Sequence, residues 1–188
     1  MDYEDLGFAK VDHHRPIRKG FPEVIYCQGK TPAQIAKIAS SIAKQGHDVL
    51  ATKADNKAYR AVKRLLKKAQ FYPVAKIISV RSKEIGVRSK GIISIITAGT
   101  ADLPVAEEAA VTAEFLGNKV ERLFDVGVAG IHRLLKNIDQ LQKARVFACR
   151  RWGGGCRRRW RCPRCGKEFR RAASRTWSSF SPFILPER

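Results

Sequence analysis

The feature that most constrains the fold is an alternation of apolar runs and helix-like segments that begins at Gly91. The run GIISIIT at 91–97 is continuously apolar, as expected of a strand covered on both faces. It is followed by an alanine-rich helical segment at 103–116, a strand-like segment at 118–126, a second helical pattern, and a strand-like segment at 143–148. This β-α-β-α-β order predicts an α/β fold built on a doubly wound parallel sheet.

Residues 1–85 have the pattern of a separate, smaller α/β subdomain. Thr31, Pro32 and Gln34 have the spacing of a capping box with proline in the first helical turn, so a helix is expected to begin there. Its inward stripe would be Ile35, Ile38, Ala39 and Ile42. Strands are expected at 22–27, 47–52 and 74–80, a basic helix from Asn56 to Lys68 with Tyr59, Val62, Leu65 and Leu66 inward, and an irregular basic arm over residues 1–20.

The loop TAGTAD at 97–102 follows the first strand of the parallel sheet, where ligands of such sheets bind. Gly99 permits a tight turn and a close approach, Thr100 offers a hydroxyl, and Asp102 stands where a helix N-cap belongs. A helix start favours anions, so the loop is a candidate phosphate cradle. The alternative is an ordinary turn in which Asp102 itself occupies the helix N–H groups.

The next loop, DVGVAGIHR at 125–133, is expected at the same edge of the sheet. Gly127 and Gly130 suggest backbone that faces a ligand. His132 stands near a helix start, which disfavours the imidazolium, so we expect a neutral ring able to orient a substrate or move a proton. The alternative is a histidine that is merely structural or exposed. In the turn and helix that follow, the residues expected to face inward are Val128, Ile131, Leu134, Leu135, Ile138 and Leu141.

Charge is unevenly distributed along the chain. The formal net charge is +20, and residues 149–188 hold 12 lysines and arginines against 2 acids. The body is therefore only moderately basic, and nucleic acid is not the expected partner. No apolar run approaches the roughly 18 residues of a membrane helix, and the N-terminus is not a secretory signal, so we expect a cytoplasmic protein without membrane contact.

Several strings in the chain resemble the LarB family, the carboxylase/hydrolases of nickel-pincer nucleotide cofactor biosynthesis. They are DLGFAKVDHHRPIRKGFPEVIYCQGKT, GHDVLAT and TAGTADLPVAEEAAVTAEFLGNKVERLFDVGVAGIHRLL. The part from Gly91 onward also resembles the wider PurE family, the aminoimidazole ribonucleotide carboxylases and mutases of purine synthesis. Residues 90–148 would then be the first half of a PurE-like domain.

The resemblance implies a flavodoxin-like sheet and a homo-octamer. It implies nicotinic acid adenine dinucleotide as substrate, with CO2 or bicarbonate as co-substrate for carboxylation of the pyridine ring. Hydrolysis of the phosphoanhydride would release AMP, and a divalent cation is a candidate to assist this step. No tightly bound cofactor is implied.

Site residues follow from the resemblance position by position. Gly99, Thr100 and Asp102 fall on the phosphate/ribose loop, and Ala101 replaces a serine of the purine enzymes, which weakens the aminoimidazole ribonucleotide alternative. His132 falls on the active-site histidine. The second loop adds Gly127, Gly130 and Arg133 as phosphate/ribose-binding residues, and the arm adds Arg15 and Arg18 as possible anion-binding residues.

The tail, residues 149–188, departs from the family. The family's Gly-rich loop after the third strand and its later nucleophilic cysteine have no counterpart here, so we expect little or no carboxylase activity. A frameshift in GC-rich DNA best explains CRRWGGGCRRRW. Two rivals remain: a zinc site with Cys149, Cys156, Cys162 and Cys165 as ligands, and a nucleic-acid-binding tail with Trp152, Trp160 and Trp177 as stacking groups.

Overall fold

A computed structural model describes residues 3–82, 91–127, 130–150, 160–161 and 168–171. The helices are α1 Arg15–Lys19, α2 Pro32–Lys44, α3 Asn56–Leu65, α4 Leu103–Phe115, α5 Ile131–Lys136 and α6 Ile138–Lys143. The strands are β1 Glu4–Asp5, β2 Lys10–Val11, β3 Val24–Tyr26, β4 Val49–Thr52, β5 Gln70–Tyr72, β6 Ile77–Val80, β7 Ile92–Thr97, β8 Lys119–Leu123, β9 Ala144–Arg150, β10 Trp160–Arg161 and β11 Glu168–Arg171. The predicted α/β class is confirmed.

The N-terminal unit is a four-stranded mixed sheet in the order β3-β4-β6-β5, in which only β3 and β4 are parallel. Helix α2 begins as predicted, because the Thr31 side chain accepts from the Gln34 backbone N–H and the Gln34 side chain accepts from the Thr31 N–H. The predicted inward stripe of α2 is buried, and it joins the core of the unit with α3 and the sheet. Strand β5 was not expected from the sequence.

The second unit has β7 at its centre, with β8 and β9 paired to it in parallel on either side. The order β8-β7-β9 is that of a doubly wound sheet, in which the second and third strands are added on opposite sides of the first. This confirms the predicted parallel sheet. Because parallel strands end at one edge, the loops after β7 and β8 are brought to the same side of the molecule.

Helix α4 lies between the two sheets. Its Ala106, Ala109 and Ala110 pack with Ile95 of β7. Its Val111 and Phe115 pack with three residues of the N-terminal unit, namely Leu50, Ala75 and Ile77. Contact on both sides explains why the segment is rich in small and apolar residues.

The arm over residues 1–20 was predicted to be irregular, and this prediction is wrong. Strands β1 and β2 form a short antiparallel hairpin there, and α1 follows. Val11 is buried in the N-terminal core, which ties the hairpin to the unit. The Glu4 carboxylate accepts a 2.6 Å hydrogen bond from Ser41 of α2 and lies 2.9 Å from His13 Nε2. These hydrogen bonds lower the pKa of Glu4.

Two predicted inward residues are instead exposed. Helix α3 ends at Leu65 rather than Lys68, since Leu66 adopts an extended backbone. The Leu65 side chain, at the end of the helix, is 56% exposed. The helix after Gly130 is interrupted at Asn137, and Leu135 is likewise 56% exposed. Val128 and the side chain of Ile131, also predicted inward, lie outside what the structure describes.

The sequence of the tail shows no helical or strand period, so no further strands were expected there, and its described backbone corrects this. Strand β11 pairs in parallel with β9, and β10 pairs with β11. The charged segment RSKEIGVRSKG at 81–91, which the sequence suggests as the boundary between the two units, lies largely outside the described residues. In the part of the chain that the structure describes, no helix is long and apolar enough to cross a membrane.

Candidate functional site

The two candidate loops are joined at Thr97, the last residue of β7. Its hydroxyl oxygen accepts a 3.1 Å hydrogen bond from the backbone N–H of Asp125. Its carbonyl oxygen accepts another, 3.0 Å long, from the N–H of Val126. Thr97 is fully buried. The loops that the sequence places at one edge of the sheet are therefore in direct contact.

Gly127 continues this contact. A Cβ atom at Gly127 would stand 2.4 Å from the carbonyl oxygen of Ala98, far inside contact distance. The second loop thus passes so close to the backbone of the first that no other residue fits without displacing one of them. Gly127 therefore allows the two loops to contact each other, and its role in binding a ligand stays a prediction.

Gly99 has a different environment. Its backbone is extended, with φ −157° and ψ 174°, so the expected tight turn at this position is wrong. A Cβ atom on Gly99 would meet no described atom within 4 Å. The space above Gly99 is open to an approaching ligand, and the exposed Thr100 stands beside it at the start of a short 3-10 turn, Thr100–Asp102.

Asp102 does not cap α4 as expected. It occupies the N-cap position, but its backbone is helical and its side chain makes no capping hydrogen bond to the first turn. Instead the side chain is buried, with 2% exposure, and the Asp102 N–H donates to the Gly99 carbonyl over 3.2 Å. The Asp102 side chain therefore does not occupy the helix N–H groups, and the Leu103 N–H instead donates to the Thr100 carbonyl within the 3-10 turn.

The second loop carries an ion pair that the sequence did not predict. Arg133 Nη1 donates to Oδ2 of Asp125 over 2.5 Å and to the Asp125 carbonyl over 3.1 Å. Both side chains are about half exposed, and Asp125 has the left-handed φ of 57° that aspartate tolerates better than most residues. Arg133 is thus held in an exposed ion pair, where an anion that binds the guanidinium more tightly could displace the Asp125 carboxylate.

His132 lies in the first turn of α5, two residues after Gly130, and it is exposed. A Cβ atom on Gly130 would lie 3.2 Å from Arg133 Nε, so Gly130 gives the guanidinium room to reach back to Asp125. The proton-shuttling role of His132 stays a prediction.

The arginines of the arm have local partners. Arg18 forms an ion pair with Asp12, and the Arg15 guanidinium lies 5.4 Å from the centre of the Phe21 ring. Their proposed anion-binding role stays a prediction, and an anion at Arg18 would have to displace Asp12.

Cys27 does not have the properties of a nucleophile. It is buried at the end of β3, and this burial raises the pKa of its thiol to about 12. Cys149 lies in β9, and Cys156, Cys162 and Cys165 lie outside the described residues, as do Trp152 and Trp177. Within the described ranges no group of three or more histidine, cysteine or acidic side chains could hold a metal ion.

Two comparisons bear on this geometry. Residues 3–83 match the family model described as the LarB/PurE-like N-terminal domain. An uncharacterized protein of Methanocaldococcus jannaschii is 35% identical over 145 residues, which cover 74% of this chain and 57% of that relative. The chain therefore spans little more than half the length of the relative it matches.

Proposed function

The chain belongs to the LarB/PurE-like family, and from this premise we propose that its α/β part binds nicotinic acid adenine dinucleotide, the substrate of a LarB-type carboxylase/hydrolase. One observation carries the proposal. The loops after β7 and β8, predicted separately as a phosphate/ribose site, are joined through Thr97 and Gly127 at the carboxyl edge of the sheet.

The first loop supplies the phosphate cradle. A phosphate oxygen approaching over Gly99 meets no described side chain. The N-terminal end of α4, which begins at Leu103, carries the positive end of the helix dipole and favours negative charge there. The hydroxyl of Thr100 adds a donor. The Asp102 side chain is buried, so its contact with a ribose hydroxyl would require the 3-10 turn to open.

The second loop supplies charge and a titratable group. Arg133 can leave Asp125 for a phosphate, because a surface ion pair contributes only about 0–1 kcal/mol. His132, exposed beside it, would orient the pyridine carboxylate or move a proton. The resemblance also implies that carboxylation uses a cysteine thiolate, which attacks the pyridine ring and makes a ring carbon able to accept CO2. Cys27, the cysteine whose side chain is described, is buried and protonated at neutral pH. We therefore propose binding with little or no turnover.

The proposal is tested by titrating the purified chain with nicotinic acid adenine dinucleotide in a calorimeter, with aminoimidazole ribonucleotide as the matched comparison. We expect saturable binding of the dinucleotide, much weaker binding of the ribonucleotide, and no AMP in the recovered solution. Tighter binding of the ribonucleotide would contradict the proposal and favour a function like that of the aminoimidazole ribonucleotide carboxylases. Binding of neither ligand would also contradict the proposal.

A further inference from the structure

Helix α4 connects the cradle to the N-terminal unit. It begins at Leu103, the residue after Asp102, so any rotation of the helix moves the loop attached to it. Its alanines face β7 and β8, while Val111 and Phe115 face the other sheet. A helix that is apolar on two opposite faces gains similar burial at several rotations, so hydrophobic packing alone fixes its rotation weakly.

A buried charge on α4 is paired across this boundary. Glu108 is 2% exposed, and its Oε2 accepts from Lys53 Nζ, 55 residues earlier in the chain and directly after β4. Its other oxygen, Oε1, has no hydrogen-bond partner within the described residues. Because a buried carboxylate is tolerated only when paired, rotations of α4 that separate Glu108 from Lys53 are disfavoured.

The segment that presents Lys53 is itself under strain. Lys53 has a φ of 55°, and Lys76 on the neighbouring turn has a φ of 52°, although neither is a glycine. The two turns are tied by a 2.8 Å hydrogen bond from the Ala54 N–H to the Lys76 carbonyl. Strained backbone of this kind persists where the surrounding structure requires a side chain in one place.

The far end of α4 is anchored in the same way. Arg81, which follows β6, donates to the Glu114 carbonyl over 3.0 Å, and its guanidinium lies 5.6 Å from the centre of the Phe115 ring. Lys53 and Arg81 therefore hold two separate points of the helix from the N-terminal unit.

We propose that Lys53 and Glu108 are positioning residues: their ion pair sets the rotation of α4 and thereby the shape of the 97–102 loop. The N-terminal unit thus fixes the conformation of the 97–102 loop through α4. This inference rests on the proposed function, in which that loop binds phosphate.

The decisive variant replaces both partners, Lys53→Met with Glu108→Met. Glu108 is buried, whereas its partner Lys53 is 40% exposed. Replacing a buried charge together with its partner by apolar side chains of similar size is often neutral or stabilising, so the double variant should unfold at the same urea concentration as the wild type or higher. A purely structural role predicts no other change. A positioning role predicts that the backbone amides between Gly99 and Ala106 exchange with deuterium at least about fivefold faster, because local opening becomes easier. Dinucleotide affinity should weaken by a similar factor.

Three single variants complete the test. Lys53→Arg keeps the charge and should exchange like the wild type. Lys57→Met removes an exposed lysine of α3 that has no contact with Glu108 and should change nothing. Glu108→Gln keeps the size of the side chain but removes its charge, and it should also accelerate exchange.

The outcomes separate the two proposals. Unchanged loop exchange in a stably folded double variant, or in Glu108→Gln, would overturn the positioning role whether or not the wild type binds dinucleotide. Faster exchange in a chain whose wild type binds no dinucleotide would uphold the positioning role and overturn the proposed function.

Discussion

The hydroxyl of Thr97 accepts a hydrogen bond from the backbone N–H of Asp125, 28 residues later in the chain. It thereby joins the end of one strand to the loop that follows the next. The same residue's carbonyl accepts from Val126, so a single buried threonine fixes two loops relative to each other.

Replacing Thr97 with valine keeps the shape of the side chain and removes the acceptor. The N–H of Asp125 then has to find another partner, and we expect the free energy of unfolding to fall by about 1–3 kcal/mol. Urea unfolding followed by circular dichroism measures this. Thr100→Val, at an exposed position, is the control and should stay within about 0.5 kcal/mol of the wild type. Equal stability of the two variants would mean that the Thr97 hydroxyl does not join the loops.

Replacing Gly127 with alanine should be costly in a way that Gly99→Ala is not. A methyl group at position 127 would collide with the Ala98 carbonyl. A methyl group at position 99 would meet no described atom, and the backbone there is extended, which any residue adopts. We expect Gly127→Ala to destabilise the chain by about 1–3 kcal/mol. Gly99→Ala should unfold like the wild type. A Gly127→Ala variant as stable as Gly99→Ala would show that the loops do not approach as described.

Cys27 should resist alkylation in the folded chain. Its thiol pKa is raised by burial from 9.0 to about 12, so the reactive thiolate is about 1,000-fold rarer at neutral pH than in an ordinary cysteine. Mass spectrometry of the Cys27 peptide after iodoacetamide treatment, with and without urea, measures the difference. Equal rates in the two conditions would refute the buried thiol.

The raised pKa of Cys27 also has a consequence for stability. Because the folded state favours the protonated thiol, this contribution is fully present below pH 9.0 and is lost as pH rises toward about 12. Cys27→Ala should therefore remove part of the alkaline loss of stability measured in urea across that range. If the free energy of unfolding of Cys27→Ala falls with rising pH as much as that of the wild type, groups other than Cys27 cause the fall.

Local sequence signals predicted much of the fold. The capping box at Thr31 and the apolar run at 91–97 each depend on residues that are close in sequence, and both elements formed where expected. The outward turn of Leu65 was missed because it depends on where α3 ends. The hairpin of residues 4–11 was missed because its strands are two residues each, too short for a period.

The candidate site was predictable in position and less so in detail. The strand order places both loops at one edge, which sequence patterning alone indicates. The contact of Gly127 with Ala98, the Asp125–Arg133 pair and the Lys53–Glu108 pair are long-range relationships, set by how the sheets and α4 pack. A glycine in a loop signals either a left-handed backbone or a close approach, and only the structure distinguishes the two for Gly127.

The central claim is that a phosphate of the dinucleotide lies over Gly99. Calorimetric titration of Gly99→Ala with nicotinic acid adenine dinucleotide tests it most directly, because the added methyl group meets none of the described atoms and would stand in the path of the proposed phosphate. We predict an unchanged unfolding midpoint and a dissociation constant at least about tenfold higher than that of the wild type, a loss of about 1.4 kcal/mol. Binding of the dinucleotide by Gly99→Ala with wild-type affinity would contradict the account.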